Sequence, residues 1–258
     1  MVRDTRPEQV GTKVVISWSA MQASLFEFRH RWWVITFIFF AAFSAYFLDP
    51  VNCGVAIANW FAKGPGPATD NAYRFIFALG ALWLTAAAVL RTWGTSYLQA
   101  EVMRDSHIHT EKLLADGPYR YVRNPLYLGN IFMAAGIGLM ASRIGFLILF
   151  AGMTVFVIRL LLREESELLR DQGQPYRSYC AAVPRLMPSL TPRVAPAGNA
   201  PRWAEGFRTE LLYWLLALAM WAFAISLNLK IFWGIFAVAW ASSWLYRRPV
   251  PKHTSTST

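Results

Sequence analysis

Apolar residues in this chain fall into long runs separated by polar segments, and the runs set its architecture. From Lys13 to Trp32 the apolar positions Val14, Trp18, Met21, Leu25, Phe28 and Trp32 recur at steps of three and four, one face of a helix. With Lys13, Arg29, His30 and Arg31 around that face, residues 1–31 are predicted to lay an amphipathic helix along a membrane surface. Apolar runs then cover 32–48, 72–90, 126–141, 144–162, 210–227 and 231–246. Each approaches the ~20 residues a helix needs to cross the hydrocarbon of a bilayer. The last two make a hairpin, 210–246, with its turn at Asn228-Leu229-Lys230.

Between the runs, residues 49–71 read as a loop containing Gly64-Pro65-Gly66-Pro67, and 91–125 and 163–208 read as polar segments. Pro184, Pro188, Pro192, Pro196 and Pro201 stiffen the stretch that ends in a linker over 191–209. Residues 247–258 read as a disordered tail. The pattern predicts an all-α, polytopic helical membrane protein with about six transmembrane helices and an N-terminal interfacial helix.

Composition supports a membrane class. Hydrophobic residues make up 55% of the 258, and charged residues only 16%, against about 25% in soluble domains. Mean hydropathy is +0.31. The net charge of +10 invites a nucleic-acid reading, but its distribution answers that. Of 25 Lys and Arg, 21 lie in 1–31, 91–125, 159–208 and 247–258, all on one side of a six-span topology. The positive-inside rule puts that side, with both termini, in the cytoplasm. Topology thus accounts for the charge, and no nucleic-acid partner is expected. Cys53 and Cys180 fall on opposite sides, so no disulfide is expected, and neither has zinc-site spacing.

Two polar segments hold the candidate chemistry. The first runs from His109 to Gly129, HTEKLLADGPYRYVRNPLYLG. It opens on the turn signal Asp116-Gly117-Pro118, gathers Tyr119, Arg120, Tyr121, Arg123 and Asn124, and enters an apolar run through Pro125, a residue suited to a first helical turn. The second is Arg163-Glu164-Glu165 followed by Gly173, Tyr176, Tyr179 and Val183-Pro184-Arg185. Glu164 and Glu165 continue the helix of run 144–162, and Gly173 ends it as a C-cap. A pair of acids just past an apolar run is suited to receiving ribose hydroxyls or an ammonium. His107 and His109 form too small a set for a metal site, so no metal is expected. No Gly-rich dinucleotide fingerprint is present, and Gly129, Gly136 and Gly138 read mainly as packing positions.

GPYRYVRNPLYLG at 117–129 and EE-x₂-LL-x₃-G-x₂-Y-x₂-Y-x₃-VP-R-x₂-P at 164–188 together resemble the isoprenylcysteine carboxyl methyltransferase and phospholipid N-methyltransferase families of integral membrane enzymes. The resemblance covers about residues 91–190, the expected methyltransferase core. It implies S-adenosyl-L-methionine held by His109, Leu113, Leu114, Tyr119, Asn124, Pro125, Leu126, Tyr127 and Glu164, with Glu165 beside it. Arg123, Asn124 and Glu164 are the implied catalytic positions. Two departures stand out. The family's RHP is Arg123-Asn124-Pro125 here, and an asparagine cannot carry a proton as an imidazole does. The prenylcysteine enzymes' arginine four residues before the glutamate is Leu160 here; Arg159, about 100° around the helix, is the candidate to contact substrate instead.

The chemistry so implied is methyl transfer to a lipophilic acceptor entering from the bilayer, either an isoprenylcysteine-like carboxylate or a lipid amine. The alternatives are a small-thiol S-methyltransferase, a sterol-reductase-like nicotinamide enzyme, and a membrane binding protein without turnover. Membrane lipids are expected partners, and the C-terminal hairpin is suited either to closing the site laterally or to forming a homodimer contact.

Overall fold

The computed structural model describes residues 21–62, 67–104 and 115–246. Within them the chain is built of helices, which we number α1 (Leu25–Arg29), α2 (Arg31–Ser44), α3 (Cys53–Ala62), α4 (Pro67–Arg104), α5 (Pro125–Gly138), α6 (Arg143–Gln172), α7 (Gln174–Ala182), α8 (Trp203–Thr209), α9 (Leu211–Ser226) and α10 (Leu229–Tyr246). The long α4 is the central pillar, packing on α5, α9, α3 and α8. The packing order runs α2, α6, α5, α4, α9, α10. A single large apolar cluster, including Phe77, Leu84, Met133, Met153, Leu161 and Met220, threads this row.

The polytopic helical membrane fold is as the apolar runs predict. Helices stand at all the predicted spanning positions, but their lengths differ. The helix over Thr69–Leu98 and α6 are long and apolar enough to cross a bilayer; α8 and α9 would make a third span, bent by 65°. The helix of α2 with its following turn, α3, α5 and 229–239 are shorter apolar helices. At 14 residues, α5 is about 21 Å long, below the ~30 Å of the hydrocarbon.

Three expectations are corrected. The loop expected over 49–71 contains α3, because Cys53, Gly54 and Ala58 bury a small-residue face against α4. The polar segment expected from Arg91 begins as helix, since α4 runs unbroken to Arg104. The amphipathic helix expected over 13–32 does not run through: Ser24 is an N-cap in extended conformation, joined to Glu27 in a reciprocal capping box. Residues 1–20, and with them the first part of that helix, lie outside the described residues, as does the tail 247–258.

Small residues let the helices approach. A Cβ on Gly136 would lie 2.7 Å from the backbone oxygen of Gly80, so α5 and α4 cross backbone to backbone. Gly129 makes room for something else, the side chain of Arg91.

Candidate functional site

The two polar motifs meet at one end of the bundle, and backbone pairing joins them before any side chain does. The Arg123 amide donates to the Pro184 carbonyl at 2.9 Å, Ser189 to Tyr121 at 3.0 Å, and Arg193 to Arg120 at 2.8 Å. Residues 184–193 therefore run alongside 120–123. The Tyr179 hydroxyl donates to the Tyr119 carbonyl at 2.8 Å. Buried Asp116 accepts the amides of Ala197 and Asn199 at 2.8 and 2.9 Å, tying the start of the first motif to the linker. Burial pushes the phenols of Tyr176 and Tyr179 above their ordinary range, so both are neutral across physiological pH.

Pro125 opens α5 as the sequence suggests. Asn124 stands at the N-cap, yet its side chain does not cap the helix. Its amide instead donates to Glu165 Oε1 at 3.0 Å and to the Arg185 carbonyl at 3.2 Å. Glu165 is a buried hub: Arg123 reaches it at 3.2 Å and Arg185 at 3.0 Å. One carboxylate thus fastens α6 to both motifs. The Nε of Arg123 is buried with no hydrogen-bond partner.

Glu164, one step around α6, faces elsewhere. It accepts the Tyr127 hydroxyl at 2.7 Å, bridging α6 and α5. Tyr119 is buried beneath the first motif, while Leu126 and Tyr127 occupy the first turn of α5. The structure so brings Tyr119, Arg123, Asn124, Pro125, Leu126, Tyr127, Glu164 and Glu165 to one end of the fold. His109, Leu113 and Leu114 lie outside the described residues. Gly173, with φ of +62°, ends α6.

Arg159 is engaged by the N-terminal segment. Its guanidinium donates to Glu27 at 2.8 Å, and its carbonyl accepts the Ala23 amide at 2.9 Å. Arg163 donates to the Ala23 carbonyl at 3.0 Å and pairs with Glu167 at 2.8 Å. Residues 21–28 are thereby strapped onto α6, where Ala23, Phe156 and Leu160 are packed around by Phe28 and Tyr127. Hydrogen bonding to Arg159 and to the Ser24 amide holds Glu27 down at about 2. A carboxylate lowered in this way stabilises the strap fully above the ordinary carboxylate range. That contribution is lost as pH falls from about 4.5 towards 2. Hydrogen exchange at residues 23–29, corrected for intrinsic rates, is expected to quicken across this window in the wild type. Glu27→Gln is expected to show no such pH step; an equal step in both proteins would sink the assignment.

A second polar cluster was not read from the sequence. Glu210, at the bend between α8 and α9, accepts Arg91 at 2.7 and 3.0 Å and the Thr95 hydroxyl at 2.7 Å. Arg91 also donates to the Leu126 carbonyl at 3.0 Å and to Asn130 at 2.9 Å, and stacks over Tyr213 at 4.2 Å. An arginine, an asparagine and a glutamate at the edges of apolar runs were the available signal. Among the described residues no group of three His, Cys, Asp or Glu is placed to hold a metal ion.

Fold and site together define a polytopic helical membrane protein with its two polar motifs joined at one end of the bundle. Residues 75–172 match the family model of phospholipid methyltransferases, in line with the resemblance that the two motifs carry. Over 116 residues the chain is 26% identical to the nickel-cobalt-cadmium resistance protein NccN of Alcaligenes xylosoxydans xylosoxydans, covering 45% of this chain and 51% of that protein. It is 24% identical to the cobalt-zinc-cadmium resistance protein CzcN of Cupriavidus metallidurans over a stretch covering 45% and 50%. The match thus spans about half the length of these relatives. No solved structure matches the chain.

Proposed function

We propose that this protein is an S-adenosyl-L-methionine-dependent methyltransferase that methylates a lipophilic acceptor drawn from the bilayer. The observation that carries the reading is the joining of the two motifs through Tyr127–Glu164 and Arg123–Asn124–Glu165, all within the segment that matches the phospholipid methyltransferases. The donor set suits this cofactor. Glu164 has one oxygen engaged by Tyr127 and keeps capacity to accept a hydroxyl or an ammonium. Tyr127, which donates to it, supplies aromatic surface beside it.

When bound, the cofactor supplies a methyl group on a sulfonium, a leaving group that needs no covalent help from the protein. The chain's own contribution is positioning and exclusion of water. Tyr127 fixes the rotamer of Glu164, and Glu165 with its two arginines fixes the helix that carries Glu164. Asn124 has no group that titrates near neutral pH, so it serves as a hydrogen-bonding strut. A carboxylate acceptor would be nucleophilic as it stands, whereas an amine or thiol has first to lose a proton. The clustering of Lys and Arg supports a cytoplasmic site and cytoplasmic termini.

Calorimetry of S-adenosyl-L-methionine and S-adenosylhomocysteine with the detergent-purified protein tests the reading. Binding, followed by radiolabelled methyl transfer into lipid extract rather than into small thiols, is the expected result. A folded protein that binds neither compound would overturn it. The relatives' names favour one further reading, a part in resistance to metals such as cobalt and cadmium. Equal metal tolerance in cells with and without the protein would remove it.

A further inference from the structure

Among the described residues of the strap and the start of α2, Arg29 and Arg31 have no carboxylate at ion-pair distance, and Arg31 is the one set over the Phe28 ring. Glu27 is taken by Arg159, Glu167 by Arg163, and Glu164 by the Tyr127 hydroxyl. Among the described residues no carboxylate lies within ion-pair distance of Arg31. Its guanidinium sits 4.9 Å from the centre of the Phe28 ring, and that of Arg163 sits 5.6 Å from the same ring. Two guanidinium groups are therefore gathered about one aromatic ring, and the Nε of Arg163 is buried with no partner. Phe28 in turn packs on the cluster that Tyr127 joins. Arg31 lies close enough to act electrostatically on both Tyr127 and Glu164.

The neighbours of Arg31 place it at the level of lipid headgroups. Trp32 and Trp33 beside it are exposed, as are Leu25 and Phe26 on the strap. Exposed tryptophans next to an arginine at the end of an apolar helix are the usual furniture of a membrane interface. A guanidinium there, stacked on an aromatic ring and free of carboxylates, is suited to an oxyanion, which it can hold by two parallel hydrogen bonds.

We propose that Arg31, backed by Arg163 and Phe28, binds the oxyanion of a lipid, phosphate ester or carboxylate, and holds that lipid's polar end beside Tyr127 and Glu164. The strap and the first residue of α2, both outside the segment that matches the methyltransferase family, thus complete one wall of the site and select an anionic acceptor. That this lipid is the methyl acceptor rests on the function proposed above; the oxyanion site itself does not.

Native mass spectrometry of the purified full-length protein, without S-adenosyl-L-methionine, reads lipid retention directly. The probes are dioleoyl phosphatidate, oleate, dioleoylglycerol and inorganic phosphate. Wild type is expected to retain phosphatidate or oleate at least about tenfold better than dioleoylglycerol. Arg31→Gln should lose that preference and Arg31→Lys should recover part of it. Lys230→Gln, which removes an exposed cation at the turn between α9 and α10, should behave as wild type. Unchanged preference in Arg31→Gln, or equal retention of dioleoylglycerol by wild type, would refute the site. Retention of inorganic phosphate in place of either lipid would refute its lipid specificity. A protein that retains anionic lipid but never binds the cofactor would fail the methyltransferase reading and leave the oxyanion site standing.

Discussion

Replacing Glu210 by alanine is expected to cost the folded protein about 3–5 kcal/mol, because it strands a buried guanidinium. The Arg91 and Glu210 side chains are 14% and 3% exposed, and the pair is bidentate. Arg91 has further acceptors in Leu126 and Asn130, but neither is charged, so its desolvation would go uncompensated. The Thr95 hydroxyl would lose its acceptor as well. The consequence is largest at the contact of α4 with α8 and α9, where Gly206 lies against the Thr92 backbone and Trp214 donates to the Thr92 hydroxyl at 2.9 Å. The check is an unfolding titration in mixed micelles with three variants: Glu210→Ala, Arg91→Met, and Arg91→Met with Glu210→Leu. Either single change is expected to be severe, whereas the double change removes both charges and should recover most of the loss. Three equal losses would mean that shape, and not charge, governs the cluster.

The split between what could and could not be read beforehand follows from range. Apolar runs are local, so the helices and the membrane class were legible, as were the proline start of α5 and the glycine end of α6. The break in the N-terminal helix was also local: Ser24-x-x-Glu27 is a capping-box pattern, overridden in the reading by the longer apolar stripe. Helix α3 was missed because its ten residues are too few to span and sit beside a Gly-Pro stretch. The two motifs, through the family resemblance they carry, brought forward most of the residues that meet at the candidate site. Their division of labour was not legible, since it depends on which way neighbouring side chains on α6 point. Glu210 and Arg91 are 119 positions apart in sequence, and nothing in either neighbourhood names the other.

That division of labour is testable at Glu164 and Glu165, adjacent acids for which opposite outcomes are expected. Glu165 is buried and holds Arg123, Asn124 and Arg185 together. Glu165→Leu leaves two guanidiniums without their carboxylate and unfastens 184–193 from α6. A loss of about 3–5 kcal/mol of stability is expected, with Arg123 the more costly partner because its side chain is only 10% exposed. Glu164 carries far less of the fold. The tyrosine hydroxyl donates to it at 2.7 Å, a bond that an amide oxygen can also accept. Glu164→Gln should therefore keep its unfolding free energy within about 1 kcal/mol of wild type. On the proposed function it should also weaken S-adenosyl-L-methionine by about tenfold or more, since a charge-assisted contact becomes a neutral one. Unfolding titrations and calorimetry on the two variants decide the matter. If Glu164→Gln binds the cofactor as wild type does while Glu165→Gln, stable enough to purify, does not, then the roles are exchanged and the cofactor lies against the arginine hub instead of against Tyr127.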